Sequence, residues 1–381
     1  MKRFFALLLA AALALSLAGC GQSAGEDSEW THVPEETFCG LTYTGSLELS
    51  YAHEFAVDYY EGGYSLLSVA NGDQFLVVPE GAEVPETDVP VIQQPLSDVY
   101  LVATAAMCLF DALDGLDAVT LSGTQADGWT IENARLAMEA GEITYAGKYS
   151  EPDYELVVSS GCRLSVQSTM IYHSPEVKEK LEELGIPVLV DYSSYETHPL
   201  GRTEWIKLYA ALLGKEDEAD ALFREQEAAL DSVTSEEPTG KTVAYFYISS
   251  TGGYAVVRKS GDYVTQMISL AGGEYLYDDL GDDETATATV SLTLEEFYST
   301  AKDADIVLYN STIDGQLSTL EDFLSLNELL GDFKAVQEGN VWCTNANLYQ
   351  DMTRLGVVTR EMHEIFAGTA GDEMEFFYRL V

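Results

Sequence analysis

The chain has 381 residues, 46% of them apolar, which is ample for a large core and, at about 150 residues per domain, for two or three domains. Its 64 acidic and 19 basic residues give a formal charge of -45, which makes nucleic acid and anionic membrane surfaces poor partners. Such acidity suits a cationic ligand, a basic docking partner, or simple solubility outside the cytoplasm.

At the N-terminus, Lys2 and Arg3 precede an apolar run from Phe4 to Leu17 and then Ala18-Gly19-Cys20. These are the parts of a secretory signal. The run falls short of the roughly 20 apolar residues that a spanning helix needs. Leu17-Ala18-Gly19-Cys20 resembles the bacterial lipoprotein box at every position. The resemblance implies a signal peptide over residues 1–19 and a lipid on Cys20; an ordinary signal peptide cleaved nearby is the alternative. Residues 20–38 then read as a flexible tether. The expected location is extracytoplasmic, lipid-anchored to the outer face of the cell membrane, with no later segment apolar enough to cross it.

From Gly40 to about Glu80, Tyr, Val and Leu alternate with polar residues, and Gly62-Gly63 and Asn71-Gly72 interrupt the runs. Two or three antiparallel strands with hairpin turns are expected there. After the Pro- and acid-rich loop 79–90 the rhythm changes. "VPVIQQP" reads as a short strand, and Ser97 or Asp98 as the cap of a helix "VYLVATAAMCLFDAL". "DAVTLSG", "RLSVQS" and "IPVLVDY" read as strands. They alternate with helices in "IENARLAMEAG" and "SPEVKEKLEELG", the second with Ser174 as cap, Pro175 in its first turn and Gly185 at its end. Such alternation predicts a mainly parallel sheet. From Gly201 to about Ser235 the pattern is helical. It then restarts, with strands in "TVAYFYI", "YAVVRK", "DIVLYN" and "NVWCTN" and a closing helix in "RLGVVTREMHEIFAG". The expected fold is α/β: an N-terminal lobe over 39–200, a helical connection over 201–237 and a C-terminal lobe over 238–381. Ligands bind by default between such lobes, at the carboxyl ends of parallel strands.

The chemistry-bearing residues point away from catalysis. None of the five histidines sits in a His-Glu-x-x-His pattern, and there is no phosphate loop and no nucleophile elbow. No catalytic residue, cofactor or metal site is assigned. Two rivals stay open: a divalent metal binder using His173 and His198, and a surface hydrolase on a two-lobed scaffold. Cys39, Cys108, Cys162 and Cys343 lack metal-ligand spacing, and their pairing is open.

Two segments repeat each other loosely. "PDYELVVSSGCRLSV" and "VSLTLEEFYSTAKDADIVLY" each open a short helix on a glutamate and run into an apolar strand. They resemble segments of ABC-transporter substrate-binding proteins of the siderophore, haem and cobalamin uptake class, where a Glu, a short helix, Pro-Asp and a strand occur once per lobe. Glu155 matches the first glutamate, with Cys162-Arg163-Leu164 in place of Pro-Asp-Leu. Glu296 matches the second, with Glu295 as the alternative register and Ala304-Asp305-Ile306 in place of Pro-Asp-Val. The resemblance extends from about Val89 to Phe366 through "SSYETHPLGRTEWIKLYAALLGKEDEADALF" and "SGDYVTQMISLAGGEYLY". It implies the class III architecture, two α/β lobes joined by a long helix. It further implies an ABC permease dimer as partner, docked through Glu155 and Glu296, and a ferric siderophore, haem or corrinoid as small-molecule ligand. Each glutamate on its own is equally a helix N-terminal residue favoured by the dipole.

The loops that follow the strands supply the candidate ligand contacts. They are Gln94, Trp129, Met170 and Tyr172 in the first lobe and Tyr254, Asn310 and Tyr349 in the second, a set suited to hydrogen bonding and stacking on a ring-bearing or chelate ligand. Arg202 and Arg258 are scarce cations that fit an anionic carboxylate or catecholate bidentately. A salt bridge to a neighbouring acid, Glu196 or Glu204 for Arg202, is the alternative.

Overall fold

The structure, a computed structural model, describes residues 30–280, 289–372 and 374–381; the signal segment and Cys20 lie outside them. Residues 34–381 form one unit, built on three sheets.

The first sheet comprises β1 (Thr37–Phe38), β2 (Leu41–Ser46), β3 (Phe55–Tyr60), β4 (Tyr64–Val69), β5 (Gln74–Val78) and β6 (Val91–Gln93), in that order across the sheet. All neighbours are antiparallel except β5 and β6. The turns fall where the glycines predict: Gly62 and Gly63 take φ of +87° and +83° between β3 and β4, and Gly72 takes +90° between β4 and β5. The strand in "VPVIQQP" is present as β6, but it joins this sheet rather than opening the next.

The second sheet is wholly parallel, in the order β11-β10-β7-β8-β9. It runs through β7 (Val99–Leu101), α1 (Thr104–Ala112), β8 (Val119–Ser122), α2 (Glu132–Ala140), β9 (Thr144–Tyr145), α3 (Tyr154–Ser159), β10 (Leu164–Ser168), α4 (Pro175–Glu183) and β11 (Val188–Asp191). The helix expected from Val99 begins instead at Thr104. Val99, Tyr100 and Leu101 are fully buried between β10 and β8, and a central strand buried on both faces reads as a plain apolar run.

Three helices bridge to the C-terminal half: α5 (Pro199–Glu204), α6 (Ile206–Leu213) and α7 (Glu216–Thr234). Gly214, at φ +69°, ends α6. The 19 residues of α7 span about 28 Å. Glu216, Asp217 and Glu218 complement the positive end of its dipole, and its buried stripe includes Ala219, Phe223, Gln226, Leu230 and Val233.

The third sheet contains β12 (Lys241–Ile248), β13 (Ala255–Arg258), β14 (Gly273–Tyr275), β15 (Thr289–Leu292), β16 (Ile306–Tyr309), β17 (Val341–Thr344) and β18 (Phe377–Arg379). Its centre, β14, β12, β16 and β17, is parallel; β13, β15 and β18 run antiparallel. Around it pack α8 (Tyr263–Leu270), α9 (Leu294–Ala301), α10 (Leu320–Leu326), α11 (Lys334–Gln337) and the closing α12 (Leu355–Ala367), which lies along α7. The fold is thus α/β, with separate apolar cores on the N-terminal and C-terminal sides.

Two buried carboxylates fasten the first sheet to the bridge. Glu204 accepts the backbone N–H groups of Ser50, Tyr51 and Ala52 at 2.8 to 3.1 Å, and the Lys207 ammonium at 2.8 Å. Glu196 accepts those of His53 and Glu54 and the Trp205 indole N–H. The N–H groups of Ser50 to Glu54 in the β2–β3 connection are satisfied by these side chains.

Candidate functional site

Parallel strands end together, so the loops after β7, β8, β10 and β11 share one edge and those after β12, β16 and β17 share another. The two edges meet. The Gln350 side chain accepts the Thr130 N–H and hydroxyl, each at 2.8 Å, and donates to the Gly128 carbonyl at 2.8 Å. Two residues on, the Met352 carbonyl accepts the Thr203 hydroxyl at 2.7 Å. The segment between them belongs to both sides: Leu348 packs in the C-terminal core and Met352 in the N-terminal one.

Beside this strap lies a buried arginine–tyrosine cluster. Arg258, at the end of β13, donates to the Asp262 carboxylate at 3.1 Å and to the Tyr349 hydroxyl at 2.7 Å. The Tyr349 hydroxyl also accepts the Asn310 amide at 3.1 Å and lies 2.6 Å from that of Tyr245. Burial opposes the Arg258 charge, but Tyr349 and Asp262 more than offset it. Arg202 approaches from the opposite half, its guanidinium carbon 3.8 Å from the ring centroid of Tyr263 on α8. It is 7% exposed, and it donates Nε to the Glu196 carbonyl and Nη2 to the Ser194 carbonyl. It forms no ion pair among the described residues, and Nη1 has no partner there. Neither alternative salt bridge is made, because the Glu196 and Glu204 carboxylates are turned onto the 50–54 backbone. Burial pushes the Arg202 pKa down, against the Tyr263 and Asp262 contributions. The cluster therefore holds two guanidinium groups against one paired carboxylate, Asp262, in a chain that is otherwise strongly acidic.

An aromatic wall flanks the cluster on the N-terminal side. Tyr192 and Tyr195, in the loop after β11, stack at 5.1 Å and 22°. The Tyr192 hydroxyl donates to that of Tyr172, after β10, at 2.9 Å. Met170, Tyr172 and Tyr195 are among the exposed large apolar side chains, as are Tyr254 and Ile313 at the strand ends of the other half. Gly252 lets the Tyr254 ring fold against its own turn, since a Cβ there would stand 1.9 Å from the ring.

The remaining sequence candidates lie elsewhere. The Gln94 amide, at the end of β6, donates to the Ala211 and Leu212 carbonyls at the C-terminus of α6. Trp129 is a core residue, 4% exposed, with its indole N–H on the Ser122 hydroxyl. His198 accepts the Leu200 N–H and stacks on Tyr51, while His173 is exposed. Among the described residues no group of three His, Cys, Asp or Glu could hold a metal ion, and Cys39, Cys108, Cys162 and Cys343 are all free thiols. Glu155, in the first turn of α3, is exposed and makes no ion pair or hydrogen bond among the described residues. Glu296 is exposed too, but its carboxylate closes a capping box on Thr293. Neighbouring Glu295 is exposed and has no such bond. Tyr192, Tyr195, Tyr245 and Tyr263 were not foreseen, though "DYSSYE" directly after a strand marks the first two.

Two bridged α/β lobes whose strand ends meet are built to hold a solute, and this fold defines a solute-binding protein of the class III architecture, not an enzyme. Residues 102–348 match the family model described as periplasmic binding protein, and the chain belongs to that family, the extracytoplasmic solute-binding proteins of ABC importers. Its relatives include two uncharacterized lipoproteins of Methanocaldococcus jannaschii. One is 27% identical over 333 residues, covering 81% of this chain and 77% of its own. The other is 26% identical over 412 aligned positions, covering 100% of both. Similar solved structures include the periplasmic haem-binding protein HutB of Vibrio cholerae (TM-score 0.56, 16% identity, 69% of this chain and 97% of that one). A Fe3+-hydroxamate transport protein of Saccharomonospora viridis matches with TM-score 0.53 and 20% identity over 71% of this chain and 93% of its own. Among the described residues no helix is long and apolar enough to cross a membrane.

Proposed function

We propose that this protein is anchored through a lipid on Cys20 and captures an anionic iron chelate, a haem or a corrinoid between its lobes for delivery to an ABC permease. The observation that carries this reading is Arg202, a buried guanidinium at the meeting strand ends that, among the described residues, has no carboxylate partner and a free Nη1. A charge desolvated in this way is stabilised when a ligand brings an anion to it. Similar folds whose names state haem and Fe3+-hydroxamate transport support the ligand class, as do the exposed aromatics. The lobes are taken as 39–200 and 238–381, with 201–237 between them. Docking falls to Glu155 on one lobe and to Glu296, or the freer Glu295, on the other, where paired carboxylates steer and register a basic partner.

A thermal-shift screen of the full chain against haemin, ferric tris(2,3-dihydroxybenzoate), ferric citrate, cyanocobalamin and divalent Zn and Mn tests this. Ligand at 100 times its Kd stabilises by about 2.7 kcal/mol. With an unfolding entropy of about 2.1 cal/mol/K per residue over residues 34–381, that is a rise of about 4 °C. A rise of that size is expected with one of the first four. A rise confined to Zn or Mn would contradict the proposal in favour of a metal-ion binder, and hydrolytic turnover abolished by one cleft substitution would favour the hydrolase.

A further inference from the structure

The first sheet has no part in the family match, which begins at residue 102, and the similar structures cover between 69% and 75% of this chain while covering 93% to 99% of their own. All six of its strands precede the matched residues. Its hairpin tip nevertheless reaches the candidate site. Between β4 and β5, the Asn71 side chain accepts the Asp73 N–H at 2.9 Å and donates to the Asp73 carboxylate at 2.7 Å, which fixes its orientation. The same amide donates to the Tyr172 hydroxyl at 3.1 Å. A second tie holds the tip in place: the Asp73 carboxylate lies 3.5 Å from the Lys178 ammonium on α4.

Tyr172 is the outer member of the aromatic wall, and its hydroxyl accepts from both Asn71 and Tyr192. Both lone pairs are thereby used, and the hydroxyl proton is left to donate outward. The inner end of the wall is fixed independently. Buried Asp191 accepts the Ser193 N–H at 2.9 Å, together with its hydroxyl, and the Tyr209 hydroxyl at 2.6 Å. Arg202 holds the next carbonyl, Ser194, at 2.6 Å. The loop carrying Tyr192 and Tyr195 is thus fastened at both ends, and Tyr195 sits beside a residue that Arg202 touches. The result is a fixed ring face, an outward hydroxyl donor and a guanidinium with free N–H groups along one stretch of strand ends.

We propose that the first sheet is a specificity module of the binding site. Through Asn71 it positions Tyr172, whose ring stands edge-on to Tyr192 at 74°, so that the hydroxyl of Tyr172 meets a flat, conjugated ligand stacked on the Tyr192–Tyr195 pair, with the anionic group of that ligand at Arg202. This rests on the reading of the meeting strand ends as the solute site. Asn71 is a positioning residue, acting through Tyr172.

The test is the binding of three probes to the full chain, followed by fluorescence quenching: haemin and ferric tris(2,3-dihydroxybenzoate), both anionic and both presenting flat conjugated rings (one macrocycle in the first, three catecholate rings around an octahedral iron in the second), and ferric citrate, anionic without a ring. Asn71→Ala and, as a variant that keeps the ring, Tyr172→Phe are compared with wild type and with Tyr195→Ala. Loss of one neutral hydrogen bond is worth about 1 kcal/mol, or about fivefold in affinity. Asn71→Ala and Tyr172→Phe are therefore expected to weaken a flat probe about fivefold, Tyr195→Ala more, and none of them to change ferric citrate binding. A general loss of stability would shift all three probes together, so the ratio of flat to ringless affinity isolates positioning. Unchanged flat-probe affinity in both Asn71→Ala and Tyr172→Phe overturns the inference. So does a wild-type protein that takes ferric citrate but neither flat probe, a result that leaves the solute-site reading standing. A wild type that binds none of the three overturns this inference, and one that also fails to bind cyanocobalamin overturns the solute-site reading with it.

Discussion

Replacing Glu204 with Ala removes the anchor on which the first sheet depends. The carboxylate is fully buried and is the acceptor for the Ser50, Tyr51 and Ala52 N–H groups and for the Lys207 ammonium. Hydrogen bonds to a charged group contribute about 1.5–3 kcal/mol each, and an orphaned buried donor costs about 1–3 kcal/mol. Removing one partner of a buried ion pair costs about 3–5 kcal/mol. These terms overlap, and water entering the space left by the side chain recovers part of them, so the net loss is set at about 4–6 kcal/mol. Against an unfolding entropy of about 0.7 kcal/mol/K for residues 34–381, this lowers Tm by about 6–8 °C. Glu204→Gln keeps one acceptor oxygen and is expected to lose roughly half as much. Differential scanning calorimetry reads the shift, and hydrogen exchange of the Ser50–Ala52 amides locates it. A drop under about 2 °C with those amides still protected would refute the reasoning, since their only acceptor among the described residues would have been dispensable.

Three further outcomes follow from other residues. Arg202→Met should weaken an anionic chelate by about 10- to 100-fold, the worth of a charged hydrogen bond, while Tm moves little because a buried charge without a carboxylate partner is removed; isothermal titration and a melt check both halves. Asp305 is held at a pKa of about 2: its burial is outweighed by hydrogen bonds from Lys334 and from Thr242. Its folded pKa lies below the unfolded value of about 3.9, so its contribution is present above that pH and is lost as pH falls towards 2; Asp305→Asn should flatten that part of the acid unfolding curve. Reversing the docking carboxylates, Glu155→Lys with Glu296→Lys or with its alternative Glu295→Lys, should abolish permease-dependent uptake and leave ligand affinity unchanged, whereas Glu296→Ala should lower stability through its lost capping box by about 1 kcal/mol.

The parallel α/β organisation was legible because strand and helix periods differ and the punctuation is strong. The glycine turns of the first sheet, the helices after Ser174 and Thr293, and the closing helix all fall near their expected places. The elements that escaped are those whose pattern is set by neighbours. β7 is a short strand buried on both faces, so it reads like the start of the helix that follows it. The two-residue β9 and the edge strands β15 and β18 are too short to show a period. At the site, Arg202, Arg258, Asn310 and Tyr349 come together around one cluster and its neighbours, because they follow strands or flank the bridge. Gln94 and Trp129 obey the same rule of position yet face inward. Direction of a side chain at a strand end depends on packing against α6 or on the Ser122 hydroxyl, and spacing alone does not carry it. The reach of the Asn71 hairpin to Tyr172 joins residues 101 positions apart and leaves no trace in the local pattern.

The most direct measurement of the central claim is hydrogen exchange by mass spectrometry on the full chain, with and without saturating haemin, ferric tris(2,3-dihydroxybenzoate) and ferric citrate in turn. A solute gripped at the meeting strand ends slows exchange in 168–174, 191–202, 249–258 and 345–352 together, from both halves at once. Slowing confined to one half, or centred on the cavity of about 680 Å³ beside Asp114, Leu136 and Glu142, would contradict it.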